Sequence, residues 1–325
     1  MKALVTGGRG FIGSHVVDAL VAEGAEVRVY DAAPVAGARA DVEHVIGDIG
    51  DEDLLARSMA DRDAVFHLAA MYSYSRRDAE AMHRINVEGT RAVLAAARRS
   101  QVPRVVHTSS CSTCGPAKGR LADEHDQPPK WELKVAYKRT KVDSEQVALE
   151  AAQTGQDVVV VNPTVPVGPR DRGPTPTGKM IADVAAGRAK AFVGTTGLNI
   201  VDVRDVARGH VLAYRHGQAG ERYLLGGDNL PLRDVFATIA RHAGRRRPRI
   251  RVPFRLVFGA AWVAHHASRI RGREPRLLVL DEVRQARVPA LFSIEKAQRE
   301  LGYEWRSADE ALRDAVAAIG ENGAR

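Results

Sequence analysis

The sequence predicts an α/β fold, a doubly wound parallel sheet with a smaller, mainly helical C-terminal lobe. Three observations carry this. Six short apolar runs alternate with helical patterns through the first half of the chain. A glycine-rich turn, Gly7-x-x-Gly10-x-x-Gly13, joins the first run to the first helical pattern. After Asn162-Pro163 the texture changes to a Pro- and Gly-rich loop and then to helical patterns.

The strand candidates are "KALVT", "EVRVY", "EHVI", "AVFHLA", "RVVHTS" and "DVVVV". Runs this continuously apolar suit parallel strands buried on both faces. Between them lie helical patterns such as "GSHVVDALVAEG" and "NVEGTRAVLAAARRS". Beyond the loop "NPTVPVGPRDRGPTPTG", helices are expected near 176–187, 204–217 and 231–243, and "ERYLLGG" should return as a further strand. This helical lobe closes over the C-terminal edge of the sheet, where ligands sit in such folds.

At 325 residues the chain can bury one large core or two modest ones. Hydrophobic content of 45% and charged content of 27% are ordinary for a globular protein. No basic segment followed by an apolar run opens the chain, so no signal peptide is expected. No stretch is long and apolar enough to span a bilayer. Two cysteines exclude a disulfide framework and fit a reducing, cytoplasmic setting. The formal charge is +8, and only nine of the 48 basic residues are lysine. The arginines cluster at Arg245, Arg246, Arg247, Arg249 and Arg251. Such a cluster can bind nucleic acid. No aromatic-interleaved basic motif accompanies it, so a solvated surface that attracts anionic cofactors is preferred and no nucleic acid partner is expected.

The glycines of the first turn permit a tight bend and close approach of a pyrophosphate to the helix N-terminus. Phe11 and Ile12 lie between the last two. Asp31 ends the second strand, where a carboxylate accepts hydrogen bonds from a ribose and repels a 2′-phosphate. NAD is therefore preferred, and Arg9 inside the turn keeps NADP open. Asp48, with Ile49 beside it in "VIGDIGD", either contacts the adenine amine or caps the following helix. Leu68, Ala69 and Ala70 end the fourth strand with residues that let the backbone pass close to a cofactor, and His67 before them reads as packed.

Tyr137 and Lys141 form Tyr-x-x-x-Lys, which puts both on one helix face. A nearby ammonium favours the phenolate and lowers the Tyr pKa, so the pair can exchange a proton at a substrate oxygen. At the end of the fifth strand, Thr108, Ser109 and Ser110 each offer a hydroxyl that could polarise a reacting carbonyl. Composition and spacing do not choose among the three. Cys111 and Cys114 spell Cys-x-x-Cys, either a redox or metal site or two small pocket residues. The second is preferred because no other Cys pair exists. No metal is expected. His265 and His266 are adjacent and cannot share a helix face. The segment 253–272 is apolar and then basic, suited to a lipid-like substrate wall or a membrane surface, with a helix covering the lobe preferred.

In order, "TGGRGFIG", Asp31, "GDI", "HLAA", "NVEGT", "TSSCSTCG", "YKRTK" and "NPTVPVGPR" resemble the extended short-chain dehydrogenase/reductase family, also called the NAD-dependent epimerase/dehydratase family. The likeness continues through "GLNIVDVRDVARGH" and "ERYLLGGDN" and so covers nearly the whole chain. Within the family it looks most similar to hopanoid-associated sugar epimerases and dihydroflavonol-reductase-like proteins. The resemblance implies a Rossmann domain over 1–162, with 197–226 returning to it, and a substrate-binding lobe over 163–196 and 227–325. It implies Tyr137 as acid/base, Lys141 as the residue that holds the nicotinamide ribose and tunes Tyr137, and Ser110 as the catalytic hydroxyl. It further implies Asn86 as a structural and cofactor-side residue, Pro163 at the carboxamide end of nicotinamide, and Ser112, Asn162, Arg170 and Asn199 as pocket residues for a small-molecule substrate. It also implies a homodimer through helices near 78–99 and 134–153.

Two departures matter. Dehydratases of the family carry an acidic pair after the catalytic hydroxyl, and here those positions are Cys111 and Ser112, which disfavours dehydration. Cys114 replaces the usual Tyr before Gly115. The expected activity is hydride transfer at a secondary alcohol or ketone, as a nucleotide-sugar epimerase or as a ketone reductase or alcohol dehydrogenase on a lipid-like or aromatic substrate. A non-catalytic dinucleotide sensor or nucleic-acid-binding relative is the alternative of another class. The intact Ser110, Tyr137 and Lys141 set argues against it.

Overall fold

The computed structural model of the chain describes residues 1–32, 39–117, 119–193, 196–270, 283 and 288–323. Seven parallel strands form the central sheet in the order β10-β6-β5-β4-β1-β2-β3. They are β1 (Lys2–Thr6), β2 (Glu26–Asp31), β3 (Glu43–Ile46), β4 (Ala64–His67), β5 (Arg104–Thr108), β6 (Val158–Pro163) and β10 (Arg222–Leu225). All six early strand candidates and the returning strand are present. The order reverses between β1 and β4, so the ends of β1 and β4 open a crevice at that point.

Alternation along the strands separates two apolar layers. Ala3, Val5, Phe66, Val106, Val159 and Val161 face α1 (Phe11–Ala22) and α7 (Val203–His216). Leu4, Val65, Val105, Val158 and Val160 face α2 (Glu52–Met59), α4 (Gly89–Arg99) and α5 (Ala136–Gln153). A period of two with both sets apolar is what a sheet covered on both faces requires. Leu20, wholly buried under the first layer, contributes about 2–3 kcal/mol by leaving water.

The remaining chain builds the second lobe. β7 (Val165–Val167), β9 (Gly197–Asp202) and β11 (Asp228–Pro231) form a small sheet, and β8 (Ala191–Val193) pairs with β12 (Ile250–Val252). Strand β9 thus leaves the 197–226 segment for the small sheet, while α7 and β10 join the main one. Helices α6 (Pro176–Ala185), α8 (Leu232–His242) and Ala308–Gly323 pack on this sheet through Ile181, Val184, Val235, Phe236, Ile239 and Leu312. Helix α9 (Phe254–Ile270) follows β12; residues 271 and 272 of the segment expected there lie outside the described residues. Among the described residues no helix is long and apolar enough to cross a membrane.

Candidate active site

The glycine turn packs against the end of β4. Gly7 has φ +68°, and a Cβ there would stand 2.6 Å from the Ala69 nitrogen. A Cβ on Gly13 would stand 2.2 Å from the Gly7 carbonyl oxygen. Neither position admits a side chain, because turn, helix and strand end meet backbone to backbone. The start of α1 has no side-chain cap at Gly10, so its first N–H groups face outward with the positive end of the helix. Arg9 sits in the turn with Nε and Nη1 buried and without partners. Its backbone N–H donates to Asp31 Oδ2 at 3.2 Å. Free amides, a helix dipole and an unsatisfied guanidinium together suit the pyrophosphate of a dinucleotide, and Asp31 stands at the strand end where a ribose would lie.

The other expected cofactor residues divide. Leu68 and Ala69 are partly buried and Ala70 is exposed along the edge of the crevice. Ile49 is buried against Gly89, where a Cβ would meet its side chain at 2.8 Å. Asp48 Oδ1 accepts from Gly50 N at 2.8 Å, and it is Asp51 that caps α2, by accepting from Leu54 N. Asn86, in the π-helical turn Arg84–Glu88, accepts from Met71 N at 2.7 Å and donates to Met71 O and Thr140 Oγ1. It therefore ties the loop after β4 to α5. His67 is packed, hydrogen-bonded to Thr6 and Thr90.

Tyr137 and Lys141 occupy the first turns of α5, on one face. Among the three candidate hydroxyls, Ser110 is the one whose side chain acts on the Tyr137 phenol. Thr108 Oγ1 is engaged with His210 Nε2 at 2.9 Å, and the Ser109 hydroxyl is buried without a partner. Ser110 Oγ also accepts from Ser112 N at 3.2 Å. Ser112 follows on the tight turn Cys111–Thr113, with its own Oγ buried and unpartnered. Pro163 ends β6 beside this turn, and Cys111 Sγ donates to Thr164 O.

The electrostatics differ from expectation at one point. The phenol of Tyr137 is pushed up, not down, because burial opposes the phenolate. The Ser110 hydroxyl opposes that shift, while Tyr74 and Cys111 add to it. Lys141 is itself lowered to about 8 by burial, and its Nζ donates to Thr108 O at 2.9 Å. Its ammonium is thus turned toward the strand end.

Three expected pocket residues are committed to the protein itself. Asn199 is fully buried: it accepts from Thr164 Oγ1 and Gly227 N, and donates to Gly227 O and Asn229 Oδ1. Arg170 bonds Asp18 Oδ2 and His15 Nδ1, both at 2.6 Å, and so braces its loop against α1. Asn162 is wholly buried behind the serine turn, donating to Ser110 O, Thr113 Oγ1 and Glu145 Oε2. Polar side chains in a dry interior need partners; these three find theirs within the protein, Asn162 Oδ1 excepted, and so act as supports in this fold.

Two groups were missed. Glu145, one helical turn beyond Lys141, accepts from Thr113, Asn162 and Arg222. Its spacing of four from Lys141 was the available signal. Tyr72 and Tyr74 stand beside the acid, the Tyr72 ring 4.2 Å from Tyr137 and 5.3 Å from Tyr74 between centroids. Cys111 and Cys114 are free thiols; burial pushes Cys111 up to about 12 and raises Cys114 as well, so neither is a ready thiolate. Cys114 belongs to the core.

The NAD dependent epimerase/dehydratase family model matches residues 3–226. A Synechocystis sp. protein provisionally named dihydroflavonol 4-reductase is 41% identical, over 96% of this chain and 92% of that protein. Sterol demethylase protein B of Methylococcus capsulatus is 34% identical, over 99% of each. The crystal structure of a dTDP-glucose 4,6-dehydratase double mutant from Streptomyces venezuelae with NAD bound superposes with a TM-score of 0.78 at 27% identity, over 100% of this chain and 98% of that one.

Proposed function

The chain belongs to the NAD dependent epimerase/dehydratase family, and within that family we propose a dehydrogenase or reductase that acts on an apolar, ring-bearing secondary alcohol or ketone. It is an NAD(P)-dependent enzyme with NAD preferred, and the glycine turn with Asp31 would hold the cofactor. Bound there, NAD(H) accepts or supplies the hydride. The protein's residues do the rest. Tyr137 gives its proton to the carbonyl oxygen on reduction and takes it back on oxidation. Ser110, whose hydroxyl acts on that phenol, shares the same oxygen and orients the carbonyl. Lys141, one helical turn from Tyr137, would hold the nicotinamide ribose, and its ammonium favours the phenolate when Tyr137 must ionise. Pro163, Leu68 and Ala69 would border the nicotinamide.

The observation that carries the substrate class is the tyrosine wall. Tyr72 packs edge-to-face on Tyr137 and Tyr74 on Tyr72, so the surface beside the acid is aromatic rather than charged. A nucleotide sugar would need a cation for its diphosphate, and Arg170, the arginine among the expected pocket residues, is paired with Asp18. The names of the reductase and sterol relatives point the same way. A homodimer through the outer faces of α4 and α5 belongs to this proposal, and so does a cytoplasmic setting, which two free thiols suit.

The test begins with denaturing the purified protein and quantifying released NAD(H) and NADP(H). Consumption of NADH or NADPH is then followed with cyclic ketones and, separately, epimer formation with nucleotide sugars. An empty protein that reduces cyclic ketones, with turnover lost and cofactor affinity kept in Tyr137→Phe, is the expected result. Near-stoichiometric retained NAD with nucleotide-sugar epimerisation would replace it.

A further inference from the structure

The positive charge of this protein is concentrated on a surface remote in sequence from the site described above. Elsewhere its arginines are mostly spent on carboxylates: Arg28, Arg62, Arg104, Arg204 and Arg222 are among many in ion pairs. Arg245, Arg246, Arg247, Arg249, Arg251 and Arg255 are all exposed. Among the described residues none of the six has a carboxylate partner. The β8–β12 pairing lays this run beside Lys190. Lys190 and Arg245 to Ile250 line a groove of about 590 Å³.

Helix α9 begins directly after this cluster. Its inward residues Phe254, Val257 and Phe258 pack with Ala261 and Val283. Its outward residues are apolar too. Leu256 is 66% exposed, Val263 61% and Trp262 49%, and Ile250 at the foot of the helix is 59% exposed. Leu256, Gly259, Ala260 and Val263 follow a spacing of three and four, so they form one stripe. An exposed apolar stripe on a soluble surface marks an interaction site. An apolar stripe flanked by a tryptophan and by exposed arginines matches a bilayer surface, where acyl chains lie under anionic headgroups.

We propose that the Arg245–Arg255 cluster and the outward face of α9 dock the protein onto an anionic lipid bilayer, with the helix lying in the interface. The arginines attract phospholipid headgroups, and Leu256, Trp262 and Val263 enter the boundary of the acyl chains. Insertion is shallow, since α9 is apolar on its outer stripe yet not apolar enough to cross. Neither the reaction nor its substrate enters this argument, so its failure would leave the proposed function standing.

The experiment is co-sedimentation of the full chain with vesicles of phosphatidylcholine alone and of phosphatidylcholine mixed with phosphatidylglycerol. Binding is expected on the mixed vesicles only, weakening as salt rises. The triple variant Arg246→Glu, Arg247→Glu, Arg249→Glu should bind at least about 100-fold less, as each basic residue contributes about a factor of five. Leu256→Ser with Val263→Ser should lose about tenfold at unchanged charge. The Trp262 emission should shift to the blue on mixed vesicles, and Trp262→Phe should remove that shift. Circular dichroism of each variant checks folding. No binding to mixed vesicles, binding that the serine variant leaves untouched, or tighter capture by duplex DNA at the same salt would each overturn the proposal. So would self-association that buries Trp262 without lipid.

Discussion

Glu145 Oε2 lies 2.6 Å from Asn162 Nδ2 beneath the turn that carries Ser110. The same carboxylate accepts from Thr113 Oγ1 at 2.8 Å and from Arg222 Nη1 at 2.6 Å. Asn162 and Thr113 both reach Ser110 O. A buried anion on α5 therefore sets the height of the serine relative to Tyr137 on the same helix. Three donors converge on this one carboxylate, and among the side-chain atoms of the network only Asn162 Oδ1 is buried without a partner.

Glu145→Gln keeps the shape but removes the charge that Arg222 neutralises, leaving a buried guanidinium uncompensated. Kinetics well below the melting temperature should show kcat reduced about tenfold or more with KM nearly unchanged, because a small displacement of Ser110 acts on the transition state. The Glu145→Asp variant should recover part of kcat. An equal loss in KM and kcat would assign Glu145 to stability alone.

Lys141 carries a cost in the ligand-free fold. Its pKa stands at about 8, against 10.5 for a free lysine. Between those values the unfolded chain holds the proton and the folded chain does not, so stability rises with pH through that window and the full penalty applies below pH 8. Replacing Lys141 by Met should stabilise the ligand-free protein by about 2 kcal/mol at pH 7, after allowing for the lost bond to Thr108. The gain should vanish near pH 10.5, and turnover should be lost at every pH. Denaturant titration at pH 7 and pH 10 measures it. A destabilised Lys141→Met at pH 7 would contradict the argument.

Acid should unfold this protein early. Burial lowers His67 to about 3 and His210 to about 4, and it holds His107 well below the usual range. His15 is lowered to about 4 for the same reason. Each depressed value means that the unfolded chain gains a proton first, so stability present above pH 6.5 is lost as pH falls toward 4. A loss of several kcal/mol is expected between pH 7 and pH 5 in chemical denaturation. His210→Gln, which can keep a bond to Thr108, should flatten that slope. A midpoint independent of pH in this range would rule the mechanism out.

The inner strands were legible because they are buried on both faces and so read as nearly continuous apolar runs, as in "KALVT" and "DVVVV"; the edge strand β3 is at most half-buried. Gly7, Gly13, Tyr137 and Lys141 were legible for a related reason. Backbone approach admits only glycine, and helix periodicity aligns residues four apart. Ser110 was harder: Thr108, Ser109 and Ser110 are chemically alike, and the direction of each side chain at the strand end decides which one meets Tyr137.

What the sequence determined by itself is local: the alternation that makes the sheet, the glycine turn, and the single helix face that holds Tyr137 and Lys141. Tertiary structure alone decided which polar residues are free. Arg170, Asn162 and Asn199 stand where a substrate contact was expected. Their partners Asp18, Glu145, Thr164 and Asn229 come from other parts of the chain. It also decided that Tyr137 is raised rather than lowered, since burial depends on everything packed around the phenol. Spacing fixes neighbours along one helix, but pairing and desolvation are set by the elements that close over it.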